Sequence, residues 1–345
     1  MNKVLVTGGT GFIGSHVCLC LLEQDYEVHI VDSLINSSPN VVQKILEIKN
    51  LKTKIFEKDI FLHIGDIRDE KFLNQIFSEN EFLSVIHLAG LKSVSESTEN
   101  PLQYWEVNLG GSINLFKIMK KYCCKNLVFS SSATIYGNTD KKLIDENSEI
   151  KPINTYGETK ASIENLLKNI YHSEEKEWKI CNLRYFNPIG NHNSGLIGEK
   201  PSYPPNNLFP YLNLVASGIK EKLLIFGNDW PTEDGTGVRD YIHVMDLASG
   251  HIAAMKYLMS NKPRILNVNL GTGKGTSVLK LVKTFEEVNK CKIPYEFVSR
   301  RTGDVARTVA DINLANKIFD WFPERNISDM CIDGWKWKNF GHVSI

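Results

Sequence analysis

Tyr156 and Lys160, in the run Tyr-Gly-Glu-Thr-Lys, stand four residues apart and so share one face of one helix. A free phenol titrates near pH ~10, too high for a base at neutral pH; positive charge close by, such as the lysine ammonium, would lower it. The pair then suits alcohol oxidation, in which a base takes the hydroxyl proton while hydride leaves carbon. Ser132, in Ser130-Ser131-Ser132-Ala133-Thr134, adds a hydroxyl that can hold the substrate oxygen as it becomes a carbonyl. Taken alone, the spacing of Tyr156 and Lys160 is also that of an ordinary surface pair. Its weight comes from what precedes it.

What precedes it is a glycine turn, Gly8-Gly9-Thr10-Gly11-Phe12-Ile13-Gly14, directly after the apolar run at 4–7. Gly8, Gly11 and Gly14 have the spacing of a tight turn, a close backbone approach and a helix–sheet contact. Together they bring a pyrophosphate to the positive end of a helix. Asp32 ends a second apolar run, where a carboxylate accepts from ribose hydroxyls and repels a 2′-phosphate, favouring NAD over NADP. Asp66 and Ile67 after a third run, and Leu88, Ala89 and Gly90 after a fourth, line the same cleft. The run Gly271-Thr272-Gly273-Lys274-Gly275-Thr276 lacks the four-residue gap of a phosphate loop and reads as an ordinary turn.

These side chains need a scaffold. Strands are predicted at 4–7, 28–32, 61–65, 85–88, 126–131 and 180–185, alternating with helices at 12–24, 69–78, 102–121 and 157–171. Such alternation implies right-handed crossovers and a Rossmann-type, doubly wound parallel sheet of the α/β class. The polar stretch 41–58 reads as a surface excursion. After residue 188 come loops at 191–207 and 228–237, with helices at 208–217, 244–259 and 278–289. A strand at 265–270 is expected to return to the first sheet. The division predicted is an NAD-binding domain over 1–187, with returns near 238–270, and a smaller mixed α/β substrate domain over 188–345.

Composition narrows the partners. In 345 residues, 40 Lys and Arg balance 40 Asp and Glu, which disfavours nucleic acid; 42% hydrophobic content excludes a disordered chain. No apolar run is long enough to span a membrane, and residues 1–7 turn glycine-rich too soon for a signal peptide. Seven cysteines without metal-ligand spacing suggest reduced thiols and a cytoplasmic protein, with no metal. His87, His243 and His251, in apolar contexts, read as structural, and Trp335 and Trp337 as packing.

With Ser-Ser-Ser-Ala-Thr-Ile-Tyr-Gly from 130, Leu-Arg-Tyr-Phe-Asn-Pro from 183 and the run 228–246, these motifs resemble the extended short-chain dehydrogenase/reductase family over essentially the whole chain. Within it, the run 228–246 resembles the branch that inverts C4 of UDP-sugars. The resemblance implies NAD contacts at Phe12, Ile13, Lys92, Asn108 and Phe186 besides those above. It implies UDP-sugar contacts at Ser132, Tyr156, Asn187, Asn207 and Leu208, and at Phe226, Arg239, Tyr241, Arg301 and Asp304. Arginines suit a diphosphate because their guanidinium binds bidentately. The implied reaction interconverts UDP-galactose and UDP-glucose through a transient 4-keto sugar, with the same hydride returned to the other face. A homodimer built through helices at 102–121 and 157–171 is also implied.

Three alternatives stay open at this stage. A 4,6-dehydratase shares the first oxidation, but its family carries an Asp-Glu pair where this chain has Ser132-Ala133-Thr134. Another nucleotide-sugar oxidoreductase and a non-enzymatic NAD sensor are the others. One departure bears on specificity: members restricted to glucose and galactose carry tyrosine four residues past the aspartate matching Asp304, where this chain has Thr308. The smaller side chain predicts that UDP-GlcNAc and UDP-GalNAc are accepted too.

Overall fold

The structure, a computed structural model, describes residues 2–53, 59–174, 177–199, 207–301 and 304–340. Short β-branched runs form strands and the segments between them form helices: β1 (Lys3–Thr7), α1 (Phe12–Leu22), β2 (Glu27–Asp32), α2 (Asn40–Thr53), β3 (Ile60–Ile64), α3 (Glu70–Glu79) and β4 (Ser84–His87). Two short helices follow, α4 (Val94–Glu99) and α5 (Pro101–Tyr104), then a π-helical turn, Trp105–Gly110, and α6 (Gly111–Lys121). β5 (Asn126–Ser132) runs into a 3-10 turn, Ala133–Tyr136, ahead of α7 (Thr155–Ser173) and β6 (Lys179–Tyr185). Next come β7 (Asn187–Ile189), α8 (Leu208–Ala216), β8 (Leu223–Phe226), β9 (Val238–His243), α9 (Val244–Ser260) and β10 (Arg264–Leu270). The chain continues through β11 (Gly275–Ser277), α10 (Val278–Asn289), β12 (Tyr295–Val298), β13 (Arg307–Thr308), α11 (Asn313–Phe319) and α12 (Ile327–Phe340).

Seven strands form one parallel sheet in the order β10-β6-β5-β4-β1-β2-β3. The order reverses between β1 and β4, which opens a crevice at the carboxyl ends of those strands. A parallel sheet is apolar on both faces and needs cover on both. On one face α1, α2 and α9 pack in a single apolar cluster; on the other, α3, α6 and α7 do. Helix α1 is apolar all round, with Val17, Cys18, Leu19, Leu21 and Leu22 fully buried, as befits a helix held between sheet and α9. Each such aliphatic side chain contributes about 1.5–3 kcal/mol.

Two expectations are corrected. The stretch 41–58 is helix α2 through residue 53, not a surface excursion. Ile45 and Ile48 are buried in the cluster around α1, a spacing masked in sequence by the flanking lysines, Lys44 and Lys49; residues 54–58 lie outside the described residues. The single helix expected over 102–121 is interrupted by the π turn that carries Asn108. Such turns widen a helix by one residue and recur at functional sites.

The remaining strands form a four-stranded sheet, β11-β9-β13 with β7 on β9, and a β12-β8 pair. A separate apolar cluster around Phe209, Leu212, Tyr241 and Phe285 backs them. β9 belongs to this region, whereas α9 and β10 return to the large sheet. No helix among the described residues is long and apolar enough to cross a membrane. Within the loop expected at 191–207, residues 200–206 are outside the described residues, as are Thr302 and Gly303.

Candidate active site

The turn between β1 and α1 is built for close approach. Gly8 has φ +71°, and a Cβ there would lie 2.8 Å from the Ala89 nitrogen. A Cβ on Gly14 would lie 2.1 Å from the Gly8 oxygen, so α1 packs on the turn with no room for a side chain. Gly11 is the N-cap and offers no side-chain cap, and the first turn carries no acid. The amides of Phe12, Ile13 and Gly14 therefore have no acceptor within their helix, which is the geometry that receives an anion. Asp32, 8% exposed at the end of β2, accepts from the Thr10 amide at 3.1 Å, the Leu34 amide at 2.9 Å and the Ser37 hydroxyl at 3.1 Å. It thus fixes the turn as well as presenting a carboxylate beside it.

The crevice continues past β4. A Cβ on Gly90 would lie 3.0 Å from the Asn108 Oδ1 and 4.0 Å from the Lys160 Nζ. Gly8, Ala89, Gly90 and Lys160 therefore border one trough, whose bare backbone and open amides fit a dinucleotide. Asp66, half-buried, pairs with Arg68 at 2.8 Å, and that guanidinium holds its carboxyl below the usual range. Ile67 is buried in the apolar cluster on one face of the sheet, and Leu88 is half-buried against the cluster on the other face. Lys92 is exposed, pairs with Glu199 at 2.8 Å, and lies 5.9 Å from the Phe12 ring.

The catalytic candidates meet at the end of β5. Asn154 caps α7 by accepting from the Gly157 amide at 2.8 Å, which sets Tyr156 in the first turn. The Ser132 hydroxyl faces the Tyr156 phenol and accepts from the Thr134 hydroxyl at 2.9 Å and the Thr134 amide at 3.2 Å. Lys160, buried, donates to the Ser130 carbonyl at 2.7 Å and lies 5.8 Å from the Tyr156 ring centroid. Burial pushes the Lys160 ammonium down to about 8, with Glu164 opposing. Burial likewise raises the Tyr156 phenol, and the hydrogen bond from Ser132 lowers it. The Lys160 ammonium is directed at the Ser130 carbonyl, and Ser132 is the group that opposes the effect of burial on the phenol.

Asn108, buried, braces the crevice. Its amide accepts from the Leu91 nitrogen at 2.8 Å and donates to the Leu91 carbonyl and the Thr159 hydroxyl at 3.1 Å. His87 bridges β1 to the first turn of α6 through Thr7 at 2.7 Å and Ser112 at 2.9 Å, and burial holds it neutral, pushed down to about 3. His251 joins Tyr185 at 2.7 Å, and His243 caps α9 and faces Asp333 at 3.2 Å.

Sequence reasoning missed two buried groups. Asp240 accepts from Thr272, Gly273 and Ala310, so the 271–276 run is a turn wrapped on a carboxylate. Glu164 pairs with Arg184 at 2.6 Å beneath Ser131, and Arg184 reaches the Tyr136 hydroxyl at 3.0 Å. A lone arginine within the apolar run of β6 was the available signal, because a buried charge requires a partner.

On the other side of the crevice the predicted UDP-sugar residues fall into smaller groups. Phe186, implied by the resemblance as an NAD contact rather than a UDP-sugar one, is buried with Ala133 and Ile135. Asn187 on β7 lies opposite Tyr241 on β9, and Tyr241 is buried in the apolar cluster there. Asn207 is the exposed N-cap of α8, with Leu208 half-buried after it. Arg239 donates to the Val238 and Val305 carbonyls at 2.9 Å, faces Asp304 at 3.9 Å and pairs in register with Thr308. The exposed Arg301 stacks on Phe226 at 3.7 Å. No hydrogen bond or ion pair among the described residues joins Arg239 or Arg301 to Tyr156.

A family model described as GDP-mannose 4,6 dehydratase matches residues 5–333. The chain is 46% identical over 336 residues to a UDP-glucose 4-epimerase of Bacillus subtilis, covering 97% of this chain and 96% of that one. Among solved structures it is similar to a UDP-glucose 4-epimerase from Stenotrophomonas maltophila with bound NAD and formylated UDP-arabinopyranose (43% identity, TM-score 0.94, 98% of each chain). It is also similar to one from Bifidobacterium longum in complex with NAD+ and UDP (41% identity, TM-score 0.91, 98% of each chain). Identity of this order along nearly the whole chain, on the same doubly wound sheet, means that the chain belongs to the UDP-glucose 4-epimerase family of the extended short-chain dehydrogenase/reductases.

Proposed function

We infer that this chain is an NAD-dependent isomerase that interconverts UDP-glucose and UDP-galactose by inverting the sugar at C4. The observation that carries this is the Ser132–Tyr156–Lys160 group at the carboxyl end of β5, bordering the trough of Gly8, Ala89 and Gly90. Phe12, Ile13, Gly14 and Asp32 would hold NAD, whose nicotinamide, when bound, reversibly takes up the hydrogen and electron pair from sugar C4.

Tyr156 exchanges the proton at the sugar 4-oxygen. The Ser132 hydroxyl, beside the phenol, steadies that oxygen as it becomes carbonyl-like, and Lys160, fixed on the Ser130 carbonyl, keeps a positive charge beside it. Arg239 and Arg301 would bind the diphosphate, with Asp304 on a sugar or ribose hydroxyl. A single tether of this kind lets the oxidised sugar turn its other face to the same site. Dehydration across C5–C6 would need an additional acid and base, and the turn after Ser132, Ala133–Tyr136, carries no carboxylate.

The two lobes then divide the work. Residues 1–187, with α9 and β10, form the NAD domain, and 188–345 otherwise form the UDP-sugar domain. Thr308, beside Arg239, leaves room for an N-acetyl group at C2, so UDP-GlcNAc and UDP-GalNAc are substrates as well. The protein works in the cytoplasm as a homodimer built through 102–121 and α7, where Leu102 is 83% exposed. Incubation with UDP-galactose and no added electron acceptor tests the central reading. UDP-glucose at many turnovers per protein supports it; no product, or reduced cofactor released mole for mole, overturns it.

A further inference from the structure

Beneath the catalytic group lies a buried charge pair that the reaction as derived does not use. The Glu164 carboxylate accepts from the Ser131 hydroxyl at 2.5 Å, the Arg184 Nε at 3.0 Å and a terminal Arg184 nitrogen at 2.6 Å. Glu164 is one helical turn beyond Lys160 on α7, and Ser131 stands between Ser130, which holds Lys160, and Ser132, which faces Tyr156. Arg184, 1% exposed, also donates to the Tyr136 hydroxyl at 3.0 Å and the Glu146 carbonyl at 3.1 Å. Tyr136 in turn donates to Asn269 at 2.7 Å, whose amide reaches the Ile144 carbonyl at 2.8 Å. Strand β5, the 3-10 turn, α7, β6 and β10 are thus tied at one point.

A charge pair is a costly way to join five apolar elements. Hydrophobic side chains of the same volume would serve stability at least as well. What such packing would not supply is a directional bond onto Ser131 and a fixed negative charge one turn from Lys160. We propose that Glu164 is a positioning residue for the reaction: through Ser131 and Arg184 it sets the 130–132 segment against α7, so that the Ser130 carbonyl stays on Lys160 and the Ser132 hydroxyl stays beside Tyr156.

The charge acts in the same sense. Lys160 is faced by Glu164 and Tyr156 on α7, the Phe129 ring and Ser130 carbonyl on β5, and His87 on β4. His87 is neutral. Glu164 itself faces Arg184 and Cys181 on β6, Ser131 on β5 and Tyr136 on the 3-10 turn, with Glu146 beyond. Glu164 is thus the anion opposing the loss of the Lys160 proton through burial.

The inference rests on the assignment of Tyr156, Lys160 and Ser132 above, and the test separates the two. Glu164→Gln and Ser131→Ala are compared with wild type and Tyr156→Phe in the epimerase assay, with melting temperature and retained NAD recorded for each. Glu164→Gln is expected to lower kcat about tenfold or more with KM within about twofold, as misplacement of reacting groups does. The alkaline limb of its kcat profile moves to lower pH by at least ~0.5 unit, since an ammonium without its anion titrates earlier. Ser131→Ala, which leaves the charge pair whole and decides the matter alone if Glu164→Gln does not fold, lowers kcat severalfold with that limb in place. Carbon-13 NMR of labelled Lys160 in the resting protein shows the same downward shift for Glu164→Gln, whatever the activity. Variants that melt lower yet turn over at the wild-type rate, with unmoved titration, overturn the proposal. Inactive wild type would instead overturn the functional assignment, and the NMR titration would still decide the role of Glu164.

Discussion

Gly14→Ala adds one methyl group, and two principles give it opposite signs. In a helix, alanine is favoured over glycine by about 1 kcal/mol, so propensity alone predicts a more stable protein. The structure decides otherwise. The new Cβ would stand 2.1 Å from the Gly8 oxygen, 2.7 Å from the Gly9 Cα and 2.9 Å from the Gly8 carbonyl carbon, all backbone atoms that no rotamer change can move. Ordinary contact begins near 3.4 Å, so α1 and the turn must separate by roughly an ångström. Overpacking of this kind costs about 3 kcal/mol or more, leaving a net loss of about 2 kcal/mol. The same displacement pulls the amides of Phe12, Ile13 and Gly14 away from the trough. Calorimetric melting and NAD titration read both effects. The melting temperature should fall by a few degrees, and NAD affinity by at least about tenfold, ~1.4 kcal/mol. A variant that melts at or above wild type and binds NAD equally well would refute the packing argument.

Acid should weaken the fold through its buried histidines. Burial pushes His16 and His87 down to about 3 and His251 to about 4. Their unfolded counterparts titrate near ~6.5, so the unfolded chain takes up protons first as pH drops. The stability tied to their neutral forms is complete above pH ~6.5 and is lost toward the folded values, by about 1.4 kcal/mol per pH unit for each. Urea midpoints should therefore fall between pH 7 and 5, and equal midpoints would contradict the burial argument. Thr308→Tyr should abolish turnover of UDP-GlcNAc while leaving that of UDP-galactose near wild type; an unchanged N-acetyl rate would remove Thr308 as the determinant.

The nucleotide trough was the most legible part in sequence, because its constraints are local. A strand, three glycines, a helix and an acid at the next strand end occupy a few dozen consecutive residues, and each carries its own steric reason. Tyr156 and Lys160 were legible for the same cause, one turn of one helix. The α2 helix was not, since its two buried isoleucines lie in a short run flanked by Lys44 and Lys49, and polar residues dominate the composition around it. Nor was the turn of Asn108, because a one-residue widening of a helix leaves no periodic trace. The Glu164–Arg184 pair and the Asp240 hub join residues 20 and more positions apart, and only the sheet order brings them together. Local chemistry was written in sequence; the bracing that holds it was written in topology.

The central claim is that Tyr156 moves a proton at the sugar 4-oxygen while the hydrogen on C4 leaves and returns within one closed site. UDP-galactose carrying deuterium at C4 tests both halves at once. The account predicts UDP-glucose with the deuterium still at C4, and a kcat for Tyr156→Phe lower by about 10²- to 10⁴-fold. Label lost to solvent water, or near-wild-type turnover by Tyr156→Phe, would contradict it.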